Sequence, residues 1–411
     1  MLESIEKKLV KKIEAAMAVP VKTDRLFSFN TFLLMVSKVY GLGVKIRTAL
    51  YRTGVLRSKS LPCFVISIGN ITVGGTGKTP MTLYVARLVK QLGYTAAVVS
   101  RGYKGGFEEK GGIVSTGKRI VATPEQAGDE PYMLASTLDI PVVVGKSRYK
   151  AAMTAVREFH PDVVILDDAF QHLAVKRDLN LLLLDGTSPF GNRALLPRGS
   201  LREPLSSVNR VDVVVFTRCS GPVTSASGPC DSGSDTSGGN SGQNDLNAAE
   251  KGHIRFDEAV KACLPGGTVE KWFRTSHVPS VCQVLDENGL VLNRKAQETF
   301  FSGGRRSGLL FSGIANNDDF KTGCETLGIA VAGSLEFTDH FWYTEATVKE
   351  ISLAAKTFGA DFVVTTHKDF VKLQDISFPL PVVVVTVDIR FDKWDEKQFE
   401  TLVENRIKSW F

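Results

Sequence analysis

FVISIGNITVGGTGKTP, running from Phe64 to Pro80, decides the fold. Its first seven residues are a short run rich in Val and Ile, which predicts a buried strand. The next seven are dominated by small and β-branched residues, and PMTLYVARLVKQLG after them carries apolar residues at helical spacing. A strand, a glycine-rich loop and a helix in that order form the setting of a phosphate-binding loop. Gly74, Gly75 and Gly77 let backbone amides approach phosphate oxygens, with Thr72 and Thr76 in the same loop. Lys78 can reach the β and γ phosphates, and Thr79 can hold Mg²⁺. The eight-residue pattern G-x-x-x-x-G-K-[ST] asks for Gly at its first position, where this chain has Thr72. The local chemistry fits ATP with Mg²⁺.

Outward from this stretch the same alternation recurs. TAAVVSRG, IPVVVGK, PDVVILDD, LNLLLLDG and VDVVVFTR are short apolar runs separated by helical or turn segments. Continuous β-branched runs joined by helices predict a parallel sheet covered on both faces, a doubly wound α/β domain of the P-loop NTPase type. The strand PDVVILDD ends in Asp167 and Asp168, and an acid at such a strand end can hold Mg²⁺ directly or through water. A second series, GLLFSGIA, GIAVAGSLEF, TVKEISLAAKTFG, DFVVTT and LPVVVVTV, predicts a smaller α/β domain after it.

Composition agrees with a two-domain chain: 411 residues are enough for two cores, and 43% hydrophobic with 23% charged residues is a globular balance. Six cysteines lie far apart with no CxxC pair, which excludes a disulfide framework or a zinc ribbon as the organising principle. A net charge of +6 gives no case for nucleic acid. MLESIEKKLVKKIEAAM reads as a basic amphipathic helix; its Glu3, Glu6 and Glu14 argue against a transit peptide, and no secretory apolar core follows. The segment from Phe27 to Lys59 mixes apolar and aromatic residues with Lys38, Lys45, Arg47, Arg52 and Arg57, too interrupted to span a bilayer. It either lies in the headgroup plane of an anionic membrane or packs on the protein's own core. Between Cys219 and Lys251 the chain is rich in Ser, Gly and Asn and poor in apolar residues, as in a linker or insertion. The domains expected are an N-terminal membrane-associating segment, 1–57, a P-loop kinase domain, 58–218, the linker, 219–252, and a smaller C-terminal domain, 253–411.

Eight blocks occur in order: GNITVGGTGKTP, SRGYKGG, AGDEPYMLA, LDDAFQHLAVKRDLNLLLLDG, PFGNRALLPRGSLREP, FSGIANNDDF, FTDHFWYT and TTHKDFVKL. Together they resemble the tetraacyldisaccharide 4'-kinase, or lipid A 4'-kinase, family from about Ile46 to about Leu373. The resemblance implies ATP-dependent phosphorylation of the 4'-hydroxyl of tetraacyldisaccharide 1-phosphate by a monomer held peripherally on the cytoplasmic face of a bacterial inner membrane. Carried over residue by residue, it implies Lys78 and Thr79 on the phosphates and Mg²⁺, Asp167 and Asp168 as metal-linked carboxylates, and Asp129 of GDEP as base. It makes His340 of FTDH the partner of Asp129. Arg101 and Gln171 are further nucleotide candidates, with His172, Arg202 and Glu203 beside them, each also readable as a loop-ordering residue. Two positions depart from the family pattern: His367 stands where Glu is commoner, and Phe341 where a second His is commoner. The rivals are a membrane-anchored switch ATPase and a soluble kinase for a small sugar or nucleotide. A switch has no use for the GDEP acid and the His340 block, and a soluble kinase leaves the N-terminal segment unexplained.

Overall fold

The computed structural model describes residues 2–21, 28–219, 271–302, 306–373 and 378–411. Apart from Cys219, the Ser/Gly-rich linker expected at 219–252 lies outside the described residues. Among them are twelve strands: β1 (Phe64–Asn70), β2 (Ala96–Ser100), β3 (Gly112–Thr116), β4 (Pro141–Val144), β5 (Val163–Leu166), β6 (Leu179–Asp185), β7 (Val213–Thr217), β8 (Lys271–Leu285), β9 (Ser307–Ser312), β10 (Ala330–Glu336), β11 (Phe362–Thr366) and β12 (Val382–Phe391). The first helices are α1 (Leu2–Ala18), α2 (Phe29–Arg52), α3 (Lys78–Gln91), α4 (Pro124–Ala127), α5 (Asp129–Thr137) and α6 (Arg148–Phe159). After β8 come α7 (Arg294–Ser302), α8 (Asn317–Thr326), α9 (Glu345–Phe358), α10 (His367–Phe370) and α11 (Lys393–Lys408).

The chain divides into two compact units. One comprises Met1–Lys78, Val163–Ser276 and Arg390–Phe411, and the other Thr79–Asp162 and His277–Ile389. In the first unit β5, β1, β6 and β7 pair in parallel, and β7 pairs in parallel with the start of β8. Every residue of β1 and β7 is buried, as are six of the seven in β6. That explains their continuous apolar reading: strands covered on both faces have no solvent side to alternate toward. In the second unit β2 and β4 pair in parallel, β3 adds antiparallel to β4, and β10, β9, β11 and β12 pair in parallel. The parallel α/β class read from the sequence is therefore what forms. Two strands had no clear signal in the sequence. β3 is five residues of GIVST, only two of them buried, and β8 interrupts its apolar residues with Arg274, Ser276, His277 and Pro279.

Candidate active site

The phosphate loop is shaped from below. β1 ends at Asn70, whose side-chain amide donates to Thr76 Oγ1 at 2.8 Å, and Thr217 Oγ1, at the end of β7, donates to the Thr76 carbonyl at 3.1 Å. Val73 N donates to the Ser200 carbonyl and Arg202 N to the Ile71 carbonyl, so residues 200–202 flank the loop as a short strand-like brace. Thr72 is buried in that bridge, opposite Leu201. Gly74 and Gly77 adopt φ of 108° and 78°, a region that side chains disfavour. The loop thus needs glycine at these two positions, while Thr72 and Thr76 hold its shape from the protein side.

Beyond β5, Asp167 is buried and Asp168 is partly exposed. Asp168 sits at φ 44°, a strained conformation for a non-glycine residue, of the kind concentrated at functional sites. Its carboxylate lies 3.9 Å from Lys78 Nζ, and Arg202 Nη1 donates to both of its oxygens at 3.2 and 3.3 Å. The turn after it is gripped by arginines. Arg177 donates to the carbonyls of Ala169 and Phe170, Arg210 to Phe170, and Arg47 to Gln171. Burial, with the Arg210 charge beside it, pushes the Arg177 guanidinium down to about 10. Gln171 turns its side chain inward and donates from Nε2 to the Asn70 carbonyl at 2.8 Å. Glu203, buried, binds Arg210.

The second unit holds the other expected pair. Asp129 opens α5, and its Oδ2 lies 2.8 Å from Nδ1 of His340. These residues are 211 positions apart, and His340 is held at φ 61°. Lys368 Nζ lies 3.8 Å from Asp129, 3.5 Å from Glu130 and 2.9 Å from Asp339. Lys372, buried, lies 4.0 Å from Asp129 and 2.8 Å from Asp369. Asp369 in turn accepts from Gly313 N and Thr366 Oγ1, which fixes α10, bearing Lys368, and the 3-10 turn Val371–Leu373 after it, bearing Lys372. Burial acts most strongly on Asp129 and would raise its pKa. The His340 hydrogen bond and the charges of Lys368, His340 and Lys372 outweigh it and hold the carboxyl below its ordinary range. On Lys368 burial again opposes the charges, and Glu130, Asp129 and Asp339 prevail, holding its ammonium protonated.

The SRGYKGG block explains how this pair is positioned. Gly106 N and Phe107 N donate to the carbonyls of Glu125 and Gln126, and a Cβ on Gly105 would stand 2.6 Å from Gly128 N. Only glycine allows the two loops so close. Tyr103 then meets the His340 ring edge to face at 5.4 Å, and Arg101 stacks over Tyr103 while its Nε donates to Glu108 at 2.7 Å. Arg101 is thus placed in the Asp129 cluster, latched to Glu108. His367, at one position that departs from the family pattern, lies 3.5 Å from Ser136 Oγ, and burial lowers its pKa. Phe341, at the other, stacks on Phe337 at 4.6 Å in the core beside Tyr343. Lys368 and Lys372 were not singled out in the sequence. The available signal was their four-residue spacing within the KDFVK run, which puts both on one side of a helical turn.

Residues 29–408 match the family described as Tetraacyldisaccharide-1-P 4'-kinase. The chain belongs to the tetraacyldisaccharide 4'-kinase family. The "Tetraacyldisaccharide 4'-kinase" of Geobacter metallireducens is 38% identical over 90% of this chain and 96% of its own. That of Desulfatibacillum aliphaticivorans is 36% identical over 92% of each chain. Among solved structures, LpxK from Aquifex aeolicus in complex with ATP superposes with a TM-score of 0.64 at 28% identity, covering 92% of this chain and all of that one. As a member of the tetraacyldisaccharide 4'-kinase family, the chain is an ATP-dependent kinase of lipid A biosynthesis that phosphorylates the 4'-hydroxyl of tetraacyldisaccharide 1-phosphate. Among its described residues no helix is long and apolar enough to cross a membrane.

Proposed function

We propose that the two clusters divide the kinase reaction between them: the Lys78 cluster holds ATP and Mg²⁺, and the Asp129 cluster prepares the sugar hydroxyl. The observation that carries this reading is the 2.8 Å Asp129–His340 pair, reinforced by two lysines, which an ATPase switch does not need. Asp129 accepts the proton of the 4'-hydroxyl. Because its carboxyl is held below the ordinary range, it is a weak proton acceptor, and its main work is to align the hydroxyl and stay ionised while doing so. His340 orients that carboxylate, and Tyr103 backs the imidazole.

On the nucleotide side, the amides of Gly74, Gly75 and Gly77 receive phosphate oxygens and Lys78 meets the β and γ phosphates. Thr79, Asp167 and Asp168 would hold Mg²⁺. All of these donors are hard oxygens, and no group of three or more His, Cys, Asp or Glu side chains among the described residues could hold a metal by itself. That fits a cation that keeps water and takes phosphate oxygens as ligands. When bound, Mg²⁺ neutralises charge on the β and γ oxygens. Arg202 and Lys78 hold the Asp168 carboxylate in position for it. Arg101 and Gln171 remain candidates for nucleotide contact in this scheme, Gln171 through its bridge to the end of β1.

α2 supplies the seat on the membrane. Phe32, Met35, Val39, Leu42 and Ile46 recur every three or four residues and are all exposed, Val39 most of all at 73%. Lys38, Lys45 and Arg52 flank this stripe. An apolar stripe with a basic flank fits the headgroup region of an anionic membrane, here the cytoplasmic face of a bacterial inner membrane, which is where the lipid acceptor resides. The catalytic unit is a monomer in this reading, with residues 219–252 as a linker and the segment 1–57 as the membrane-associating domain.

The test is transfer of labelled γ-phosphate from ATP to tetraacyldisaccharide 1-phosphate in detergent micelles. A bis-phosphorylated lipid made by the native chain and lost in both Lys78→Ala and Asp129→Asn supports the scheme. ATP hydrolysis without lipid product would replace it with the switch reading.

A further inference from the structure

The face of α2 opposite its exposed stripe is occupied in a specific way. Leu33, Ser37 and Gly41 are buried on it, and a Cβ on Gly41 would stand 2.6 Å from the Leu195 side chain. Ser37 Oγ donates to the Leu195 carbonyl at 2.8 Å and accepts from Arg198 N at 3.0 Å. A helix with small residues along one side is thereby pressed onto the segment 195–198, which leads directly into the brace beside the phosphate loop.

Two longer side chains reach further from the same helix. Tyr40 Oη donates to the Arg202 carbonyl at 2.7 Å, and Arg47 Nη1 donates to the Gln171 carbonyl at 3.0 Å. Neither acceptor is incidental. Arg202 carries the guanidinium that holds Asp168, and its own N–H is tied to Ile71 at the start of the phosphate loop. Gln171 follows the strained Asp168 by three residues, and its side chain runs on to Asn70, which holds Thr76. Two continuous hydrogen-bonded routes therefore lead from one helix, one to the metal-linked carboxylate and one to the phosphate loop. The Arg202 carbonyl lies in a bend and the Gln171 carbonyl in a turn, where it also accepts from Leu173 N at 3.1 Å, and the donors from α2 add a long-range tie to each.

We propose that Tyr40 and Arg47 are positioning residues for phosphoryl transfer, binding the lipid-facing helix α2 to the turns that carry Asp168, Arg202 and the phosphate loop. The inference rests on the reading of that loop as the ATP site. α2 is then more than an anchor: one side meets lipid, and the other sets the geometry in which Mg²⁺ and ATP are received. A small displacement of Asp168 would be felt in turnover, because phosphoryl transfer depends on position more than on covalent chemistry.

The experiment compares the native full-length chain with Tyr40→Phe, Arg47→Lys, Arg47→Met and the Tyr40→Phe/Arg47→Met double variant. Three quantities are read: affinity for a fluorescent ATP analogue in the presence of Mg²⁺, kcat and lipid KM in detergent micelles, and partition onto vesicles containing phosphatidylglycerol. The expected result for the double variant is about a tenfold loss in both nucleotide affinity and kcat, with lipid KM and vesicle partition unchanged. Arg47→Lys, which keeps a donor, is expected to recover part of what Arg47→Met loses. Should the double variant fail to melt cooperatively, Tyr40→Phe, which removes a single oxygen, carries the comparison alone. Unchanged nucleotide affinity and kcat overturn the proposal, as does a change confined to lipid KM and vesicle partition, which would make α2 an anchor only. A native chain that binds no nucleotide would instead strike the functional reading beneath it.

Discussion

The Lys78 and Asp129 clusters are built by different means. The first is a contiguous device: seven loop residues between a strand and a helix, presenting backbone amides, with two glycines at positive φ and a few side chains bracing it from beneath. The second is drawn from four separated stretches, around residues 101–108, 128–130, 339–341 and 366–372, and consists almost wholly of charged side chains in mutual contact. A phosphate is a fixed, highly charged shape that a fixed loop can cradle. A sugar hydroxyl is neutral, and the group that aligns it must have its charge set by neighbours. The comparison predicts that damage to the first cluster is read in nucleotide handling, and damage to the second in turnover and pH dependence.

Lys78→Ala should produce the largest effect. It removes the cation beside Asp168 that the proposed scheme sets on the transferring phosphate, and a loss of about 10²-fold to 10³-fold in kcat is expected, with weaker ATP use. Steady-state kinetics with ATP as the varied substrate checks this, and full turnover with unchanged ATP KM would break the division. His340→Gln should lower kcat by about 10²-fold, since Asp129 loses the hydrogen bond that orients it, while nucleotide affinity stays native.

Lys368→Met sharpens the contrast with a smaller effect, about five- to tenfold in kcat, of the size expected from losing one buried charge contact. Its signature is in pH. The Asp129 carboxyl is held below its ordinary range in the fold, so the stability it contributes is complete above about pH 4 and is lost as pH falls through the depressed value. Without Lys368 the carboxyl moves back up. Acid unfolding, followed by circular dichroism, should then begin at higher pH, and the acidic limb of kcat/KM should move the same way. A profile superimposable on that of the native chain would remove Lys368 from the account of Asp129.

The same difference decides what could be read without the fold. FVISIGN followed by GGTGKT carries its own context, so strand, loop and helix follow from local chemistry, as do the roles proposed here for Gly74, Gly77 and Lys78. β1, β6 and β7 were legible because strands buried on both faces leave unbroken apolar runs. Asp129 and His340 were legible only through the family resemblance, since nothing in GDEP or TDHF alone says that residues 211 positions apart meet at 2.8 Å. Lys368 and Lys372 were missed because a lysine in a polar run is ordinarily a solvated one. What makes these two different is the burial of Lys372, the partial burial of Lys368 and the acids around them, which arise only from tertiary packing. The bonds from Tyr40 and Arg47 were hidden for a related reason: each ends on a backbone carbonyl more than 120 residues away, and a carbonyl leaves no mark in a sequence.

The most direct test of the division between the clusters is made on Asp129→Asn, by measuring its affinity for ATP in the same preparation in which its rate of lipid phosphorylation is measured. The account predicts native ATP affinity together with turnover reduced by about 10²-fold or more. Parallel loss of ATP affinity and turnover would contradict it, and would make Asp129 part of the nucleotide site.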